Sequence, residues 1–344
     1  MKTLNCNFIV LTIILTFISA ACSVSTPTAT ITPTQKITTT PRPKPTFTPL
    51  PVGTSGNPLI IGFVDEVVNP LNNENKKKLI DQLINLTDYS FQAVRFSNYS
   101  ELLSNMESYK VHIAWLPPFT YIFGKQNGFA HVLFLTNHFG VYQYGTQFLA
   151  NTSSGFTSYF DPVTGKNTAD PDLALIQFQG KRPCWVDQTS ASGYILPLSE
   201  LADNKIGVFE GVFTHNHAAV IRSLYITGIC DFGATFSISG DPRTSSTVQI
   251  DSPDVITRVP IIWRSDAYIP NTNLSIQSRL PKKSTDIISA AFLEINKSPE
   301  GKKLISDALN YNVEDLMPVS DDVYIPLEKA IDVLGLDIQN LIGK

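Results

Sequence analysis

The chain has 344 residues, is 43% hydrophobic, and carries 26 Lys and Arg against 30 Asp and Glu, a formal net charge of −4. That balance argues against nucleic acid as a partner, which would call for a basic face. The length allows two lobes with sizeable cores, and no internal repeat of solenoid length is visible.

In chain order, Lys2 supplies a positive start, and Phe8 to Ala21 form a short apolar run ending in small residues. This is too short for a comfortable membrane span and fits a secretory signal. The run closes as Ile18-Ser19-Ala20-Ala21-Cys22, which resembles a bacterial lipobox, with Ser where Leu is commoner three places before the Cys. The resemblance implies that residues 1–21 are removed and that Cys22 is lipidated. The plainer alternative is a signal peptide with an incidental Cys. Residues 22–56 are dominated by Thr and Pro, as in Thr38 to Thr46, and hold too few large apolar side chains to fold. A Pro-rich chain extends by roughly 3 Å per residue, so such a stalk reaches up to ~90 Å. An anchor followed by a stalk places the folded part, residues 57–344, just outside a membrane.

Leu59 to Val64 reads as a buried parallel strand, and Lys76 to Leu86 as an amphipathic helix with Leu79, Ile80, Leu83 and Ile84 on one face. Phe91 to Phe96 is a strand; Ser100 is then expected to cap a helix carrying Leu102, Leu103 and Met106. Lys110 to Trp115 is the next strand, running into a turn and a helix start at Leu116 to Tyr121. This β-α-β-α-β rhythm predicts an open, mainly parallel sheet flanked by helices, with ligands beyond the carboxyl ends of the strands. Val141 to Ala150 is β-prone and crosses into a second lobe, followed by a turn-rich surface excursion from Asn151 to Asp172. A helix from Thr214 to Tyr225, a strand from Gly228 to Thr235 and a return crossing from Val259 to Arg264 complete that lobe. Helices are expected at Ser284 to Asn296, Pro299 to Leu309 and Val323 to Leu334. Lobe 1 then spans about residues 57–145 and 265–344, and lobe 2 about residues 146–264.

The most informative stretch is Arg182 to Tyr194. Cys184-Trp185-Val186 is β-prone, and Asp187-Gln188 leads to three hydroxyls, Thr189, Ser190 and Ser192, with Gly193 behind them. A strand, a tight turn and a helix start bring unpartnered backbone N–H groups and rotatable hydroxyl donors together, enough to hold an oxyanion without Lys or Arg. Taken alone, the stretch also reads as an ordinary helix cap.

Lys110 to Tyr121, Thr189 to Tyr194, Thr214-His-Asn-His, Gly228 to Ala234 and Ile262 to Asn271 together resemble the phosphate, phosphite and phosphonate substrate-binding proteins of ABC importers. The resemblance runs from Leu59 to the C-terminus. It implies a type II periplasmic-binding fold, two α/β lobes joined by two crossing strands and closing over a small phosphorus oxyanion. Thr189, Ser190 and Ser192 match the hydroxyl cluster that donates to the phosphoryl oxygens. Tyr121 matches an aromatic that lines the cleft, and Asp231 an acid at a strand end that accepts from a protonated ligand oxygen or an amine. His215-Asn216 stands where aminoalkylphosphonate binders have a His-Glu pair, and Pro117 where many relatives have Gly. Asp65 and Glu66, at the end of the first strand, are expected to face the cleft.

Implied partners are the ligand, an ABC permease and a membrane holding the lipid anchor on its extracytoplasmic face. The protein is expected to be a monomer that uses no cofactor, binds no metal and catalyses no reaction. A surface receptor, an enzyme on the same scaffold using Cys184 or Asp231, and a purely structural lipoprotein are the competing classes. Two of the four cysteines, Cys184 and Cys230, fall in the exported domain, which suggests a disulfide. Separate buried thiols are the alternative. A zinc site with His215 and His217 lacks suitable spacing, and neither Cys has an adjacent base.

Overall fold

The computed structural model describes residues 50–65 and 70–342. The signal peptide, lipidation at Cys22 and most of the stalk lie outside these, as does Glu66. Residues 50–56, expected within the stalk, belong instead to the folded body. Gly53 turns at φ 92°, the Ser90 amide donates to its carbonyl at 2.8 Å, and Val52 packs on the lobe 1 core.

Lobe 1 begins β1 (Leu59–Val64), α1 (Pro70–Thr87), β2 (Phe91–Phe96), α2 (Tyr99–Glu107), β3 (Ile113–Leu116), α3 (Pro118–Gln126) and β4 (Ala130–Asn137). The apolar runs of β1 and β3 match a sheet covered on both faces. Leu79 and Leu83 of α1 join Ile61 on one side, while Leu102 and Met106 of α2 join Ala114 on the other. The cap of α2 is Asn98, whose Oδ1 accepts from the Glu101 amide at 2.9 Å, and not Ser100. Glu101 completes the arrangement by accepting from the Ser97 amide and hydroxyl, so the reciprocal cap wins two residues earlier than expected.

The chain crosses on β5 (Gln143–Ala150) and makes a small hairpin, β6 (Phe160–Asp161) with β7 (Lys166–Asn167). There follow α4 (Pro171–Leu175), β8 (Pro183–Trp185), α5 (Leu196–Asp203), β9 (Val212–Phe213), α6 (His217–Ile226), β10 (Phe232–Ser237), α7 (Ser246–Asp251), α8 (Val255–Arg258) and β11 (Ile261–Arg264). The lobe 2 sheet has the order β11-β5-β10-β8-β9. Phe148 and Leu149 of β5 point to opposite faces, the first into a cluster with Phe178, Trp185 and Phe232, the second against α6.

The return passes through β12 (Ile269–Pro270), which pairs antiparallel with the start of β5, into β13 (Asn273–Gln277). Helices α9 (Lys282–Asn296) and α10 (Pro299–Leu309), strand β14 (Asp315–Pro318) and helix α11 (Ile325–Val333) finish lobe 1. Its sheet runs β14-β4-β13-β3-β1-β2. The two crossings approach closely at Gly145, where a Cβ would stand 2.6 Å from the Asp266 carbonyl oxygen. No helix among the described residues is long and apolar enough to cross a membrane.

A disulfide joins Cys184 of β8 to Cys230, just before β10, with Cα atoms 5.6 Å apart. It holds together the starts of two paired parallel strands, and it removes both sulfurs from metal ligation and nucleophilic catalysis. Closing a loop over the sequence separation of 46 is worth at most about 4 kcal/mol through chain entropy. The double variant Cys184→Ala, Cys230→Ala is expected to lose about 2–4 kcal/mol in urea unfolding; an unchanged midpoint would show that the bond constrains nothing the rest of the sheet does not.

Candidate functional site

Strand direction decides which loops can meet. In lobe 1, β1, β3 and β4 end at the same edge, where β13 begins. In lobe 2, β8, β9 and β10 end at the edge where β5 enters from lobe 1. A cavity of about 860 Å³ lies between these edges, bordered by Pro117, His138 and Thr272 from lobe 1 and by Ser192, His217 and Asp241 from lobe 2.

The hydroxyl stretch sits at the carboxyl end of β8, and its helix start is wider than an α-turn. The amides of Tyr194 and Ile195 both donate to the Ser190 carbonyl, at 3.1 and 3.0 Å, so Ala191–Ile195 forms a π-helical turn before α5. Ser190 caps it, its Oγ accepting from the Gly193 amide at 3.1 Å, which leaves its own hydrogen free to donate. Gly193 is required by packing, since a Cβ there would lie 2.3 Å from Val186 Cγ2. Thr189 is engaged differently. Its amide and hydroxyl both donate to Asp187 Oδ1, at 2.8 and 2.7 Å. Ser192 is nearly buried and lines the cavity, and its carbonyl accepts from Thr146 Oγ1 at 2.7 Å.

Opposite, α3 starts on Pro117 and Pro118 with no side-chain cap, so its first-turn amides are directed to the cleft edge. Among the described residues lining the cavity there is no Lys or Arg. Asp241, at the turn after β10, is matched from behind by Arg243, 2.7 Å away, and also accepts from Gln147. Burial pulls its carboxyl upward, but Arg243 outweighs this and the group titrates below the ordinary value.

His217 opens α6, with its ring edge-on to Phe236 at 4.8 Å and a buried Nδ1 that has no hydrogen-bond partner. Burial pushes its pKa down to about 4, against an opposing pull from Asp187, so the imidazole is neutral near pH 7.

Of the residues expected to form the site, Ser192 lines the cavity, while Thr189, Ser190, His215 and Asn216 follow the carboxyl ends of β8 and β9 on the same edge of lobe 2 without lining it. Asn216 is occupied as the cap of α6, accepting from the Ala219 amide at 2.8 Å, while His215 is exposed with φ 66°. Tyr121 and Asp231 are not brought there. Tyr121 is fully buried in the lobe 1 core, its hydroxyl bonded to Asp321 and accepting from the Val132 amide at 3.3 Å. Its position on α3 turns the ring inward, against Tyr324 at 4.3 Å. Asp231 stands at the start of β10, the end away from the cleft, where its carboxylate accepts from the Arg182 amide at 2.8 Å. Asp65 is tied to Lys76 and Arg95. His138, Phe139 and Tyr311 on one side and Phe236 and Asp241 on the other escaped the sequence reading. Position just past a strand end was the available signal for His138 and Asp241.

A profile of the family described as ABC transporter, phosphonate, periplasmic substrate-binding protein matches residues 71–324. The Phosphate-import protein PhnD of Mycolicibacterium smegmatis is 24% identical over 276 residues, covering 75% of this chain and 79% of that protein. XAC2383 from Xanthomonas citri, bound to ATP, superposes with a TM-score of 0.57 at 15% identity over 82% of this chain and 98% of its own. PhnD1 from Prochlorococcus marinus, in complex with methylphosphonate, gives 0.51 at 14% identity over 80% and 98%. These structural likenesses establish the shared two-lobed fold.

The core position of Tyr121 generates a direct check. Tyr121→Phe should cost about 1 kcal/mol of stability through its lost hydrogen bonds and leave calorimetric affinity for a phosphate probe unchanged. A tenfold loss of affinity would return Tyr121 to the cleft.

Proposed function

The chain belongs to the family of periplasmic phosphonate-binding proteins of ABC transporters, binding components and not enzymes, and we propose that it captures a phosphorus oxyanion for an ABC permease while tethered by lipid at Cys22. The observation that carries the ligand reading is the hydroxyl turn at the end of β8, whose Ser192 lines a cavity with no Lys or Arg among its described lining residues and whose Thr189 and Ser190 stand beside it in the chain. Neutral donors held in fixed directions select a desolvated anion by geometry. In the tautomer that carries its proton on Nε2, the neutral His217 adds an acceptor at Nδ1, in the role that the family resemblance had suggested for Asp231. An acceptor favours a ligand oxygen that still carries a proton, as phosphate and phosphonate monoanions do and sulfate does not. The Thr189 hydroxyl, now donating to Asp187, is free to turn toward a guest once the lobes close.

Capture works by closure. Donors come from both lobes, so a ligand makes contacts in the closed state that the open state lacks, and this difference shifts the population. The lipobox-like Ile18 to Cys22 supports the anchor, and the Thr/Pro stretch supports a stalk that lets a monomer reach its permease.

In calorimetry, phosphate, phosphite or methylphosphonate should bind with micromolar or tighter affinity and sulfate far more weakly. Ser192→Ala should weaken binding at least tenfold, since a hydrogen bond to a charged group is worth about 1.5–3 kcal/mol; unchanged affinity would sink the site. For the anchor, cells fed labelled palmitate should transfer label to the wild-type chain and none to Cys22→Ser. Equal labelling of both would refute lipidation at this residue.

A further inference from the structure

We infer that the cleft is shaped for a phosphorus oxyanion bearing an apolar, planar substituent, an aryl phosphonate in the simplest case, with His138, Phe139 and Tyr311 of lobe 1 and Phe236 of lobe 2 receiving that substituent. The inference rests on the phosphorus-oxyanion reading above and narrows it.

Size is the first argument. A five-atom oxyanion displaces about three waters, on the order of 100 Å³, whereas the cavity measures about 860 Å³. That falls in the range of sites that enclose organic ligands.

The wall chemistry is the second. His138 lies flat on Tyr311 with ring centres 4.1 Å apart and planes 11° apart, and its Nδ1 meets the Asn312 carbonyl at 2.8 Å, which fixes the ring. Phe139 leans on His138 at 4.2 Å yet remains 62% exposed. It holds φ 51°, a conformation that a non-glycine residue adopts at a cost. A large apolar side chain left open at the end of β4 in strained backbone packs against nothing sufficient in its own lobe. On the opposite side, Phe236 presents a second ring to the same cavity. Rings on two lobes that close toward each other form a slot for a planar group, because aromatic pairs favour offset-stacked or edge-on contact.

Charge is the third argument. An aminoalkyl substituent needs a free carboxylate, and among the described residues lining the cavity the one acid, Asp241, already accepts from Arg243 Nε and Nη2 and from Gln147. The cleft therefore satisfies an oxyanion at the Ser192 end and an uncharged ring elsewhere.

The test is calorimetry of the full chain with phosphate, methylphosphonate, 2-aminoethylphosphonate and phenylphosphonate. Phenylphosphonate should bind at least tenfold tighter than methylphosphonate, a difference of ~1.4 kcal/mol, and 2-aminoethylphosphonate no tighter than methylphosphonate. In Phe139→Ala, whose exposed side chain contributes little to folding, the phenyl-over-methyl ratio should fall at least threefold. Methylphosphonate binding as well as phenylphosphonate would overturn the inference and leave the oxyanion reading standing. A phenyl preference untouched by Phe139→Ala would also overturn it, by placing the ring elsewhere. Silence across all four probes would overturn both.

Discussion

Thr146 is the point through which the parts of this molecule are held in register. It is fully buried on β5, the first strand to enter lobe 2. Its amide and carbonyl bond to Ser265 on the returning chain, at 2.9 Å each. Its hydroxyl donates to the Ser192 carbonyl at 2.7 Å and to the Thr235 carbonyl at 3.2 Å. One residue therefore ties both crossings through its backbone, and the hydroxyl turn and the strand that leads to Asp241 through its side chain. The crossings are where closure must bend, so the donors at Ser192 are referenced to the hinge itself and not to a loop that drifts relative to it. A buried threonine hydroxyl left unmatched is costly, which makes this arrangement self-enforcing: the turn must sit where its carbonyl satisfies Thr146.

Electrostatics follow the same economy. Cationic side chains near the cleft stand behind it and are engaged there. Arg243 serves Asp241, and Arg264, further back, donates to Gln147 and lies over the Phe160 ring at 4.4 Å. Lys76 and Arg95 neutralise Asp65 at the end of β1. With Arg243, Lys76 and Arg95 paired in place and Arg264 turned to Gln147 and Phe160, selectivity falls to directed dipoles and to the neutral His217, and little of the recognition is open to screening by salt. Asp65, expected to face the cleft, is thereby neutralised by partners distant in the chain, finding Arg95 across the β1–β2 pair.

Much of the fold was legible because periodicity reports burial directly. β1 and β2 span the expected residues, Leu79, Ile80 and Leu83 of α1 face the core while Ile84 of the same expected stripe lies exposed, and α10 began and ended at Pro299 and Leu309. The hydroxyl turn was legible too, as strand, turn and helix start use residue types that announce themselves. Tyr121 and Asp231 were not, for one shared reason. A motif fixes a residue's place along the chain but not the direction of its side chain. Tyr121 sits one helical step past the residues at the cleft edge, so its ring enters the core. Asp231 sits six residues before the carboxyl end of its strand, which puts the length of β10 between it and the ligand. His217 and Phe236 carried no signal beyond composition, since a His at a helix start and a Phe in a strand are each common.

The site is also bound to the contact between the lobes. The π-helical turn feeds directly into α5, which packs against α11 of lobe 1. Ile195 and Leu196 lie in the same apolar cluster as Leu327, Ala330 and Ile331, and Lys329 reaches Asp203 at 2.7 Å along the rim. The lobes therefore touch in two places, at the paired crossings and along α5 and α11, and closure is confined to motions that preserve both. Any shift of α5 against α11 moves the Ser190 to Ser192 donors, because only the single wide turn at Ala191–Ile195 separates them. A π-turn has one residue more than an α-turn over which to spread such a displacement. That places the compliant segment of lobe 2 at the position where the ligand is gripped, so the strength of the grip and the angle between the lobes are set together.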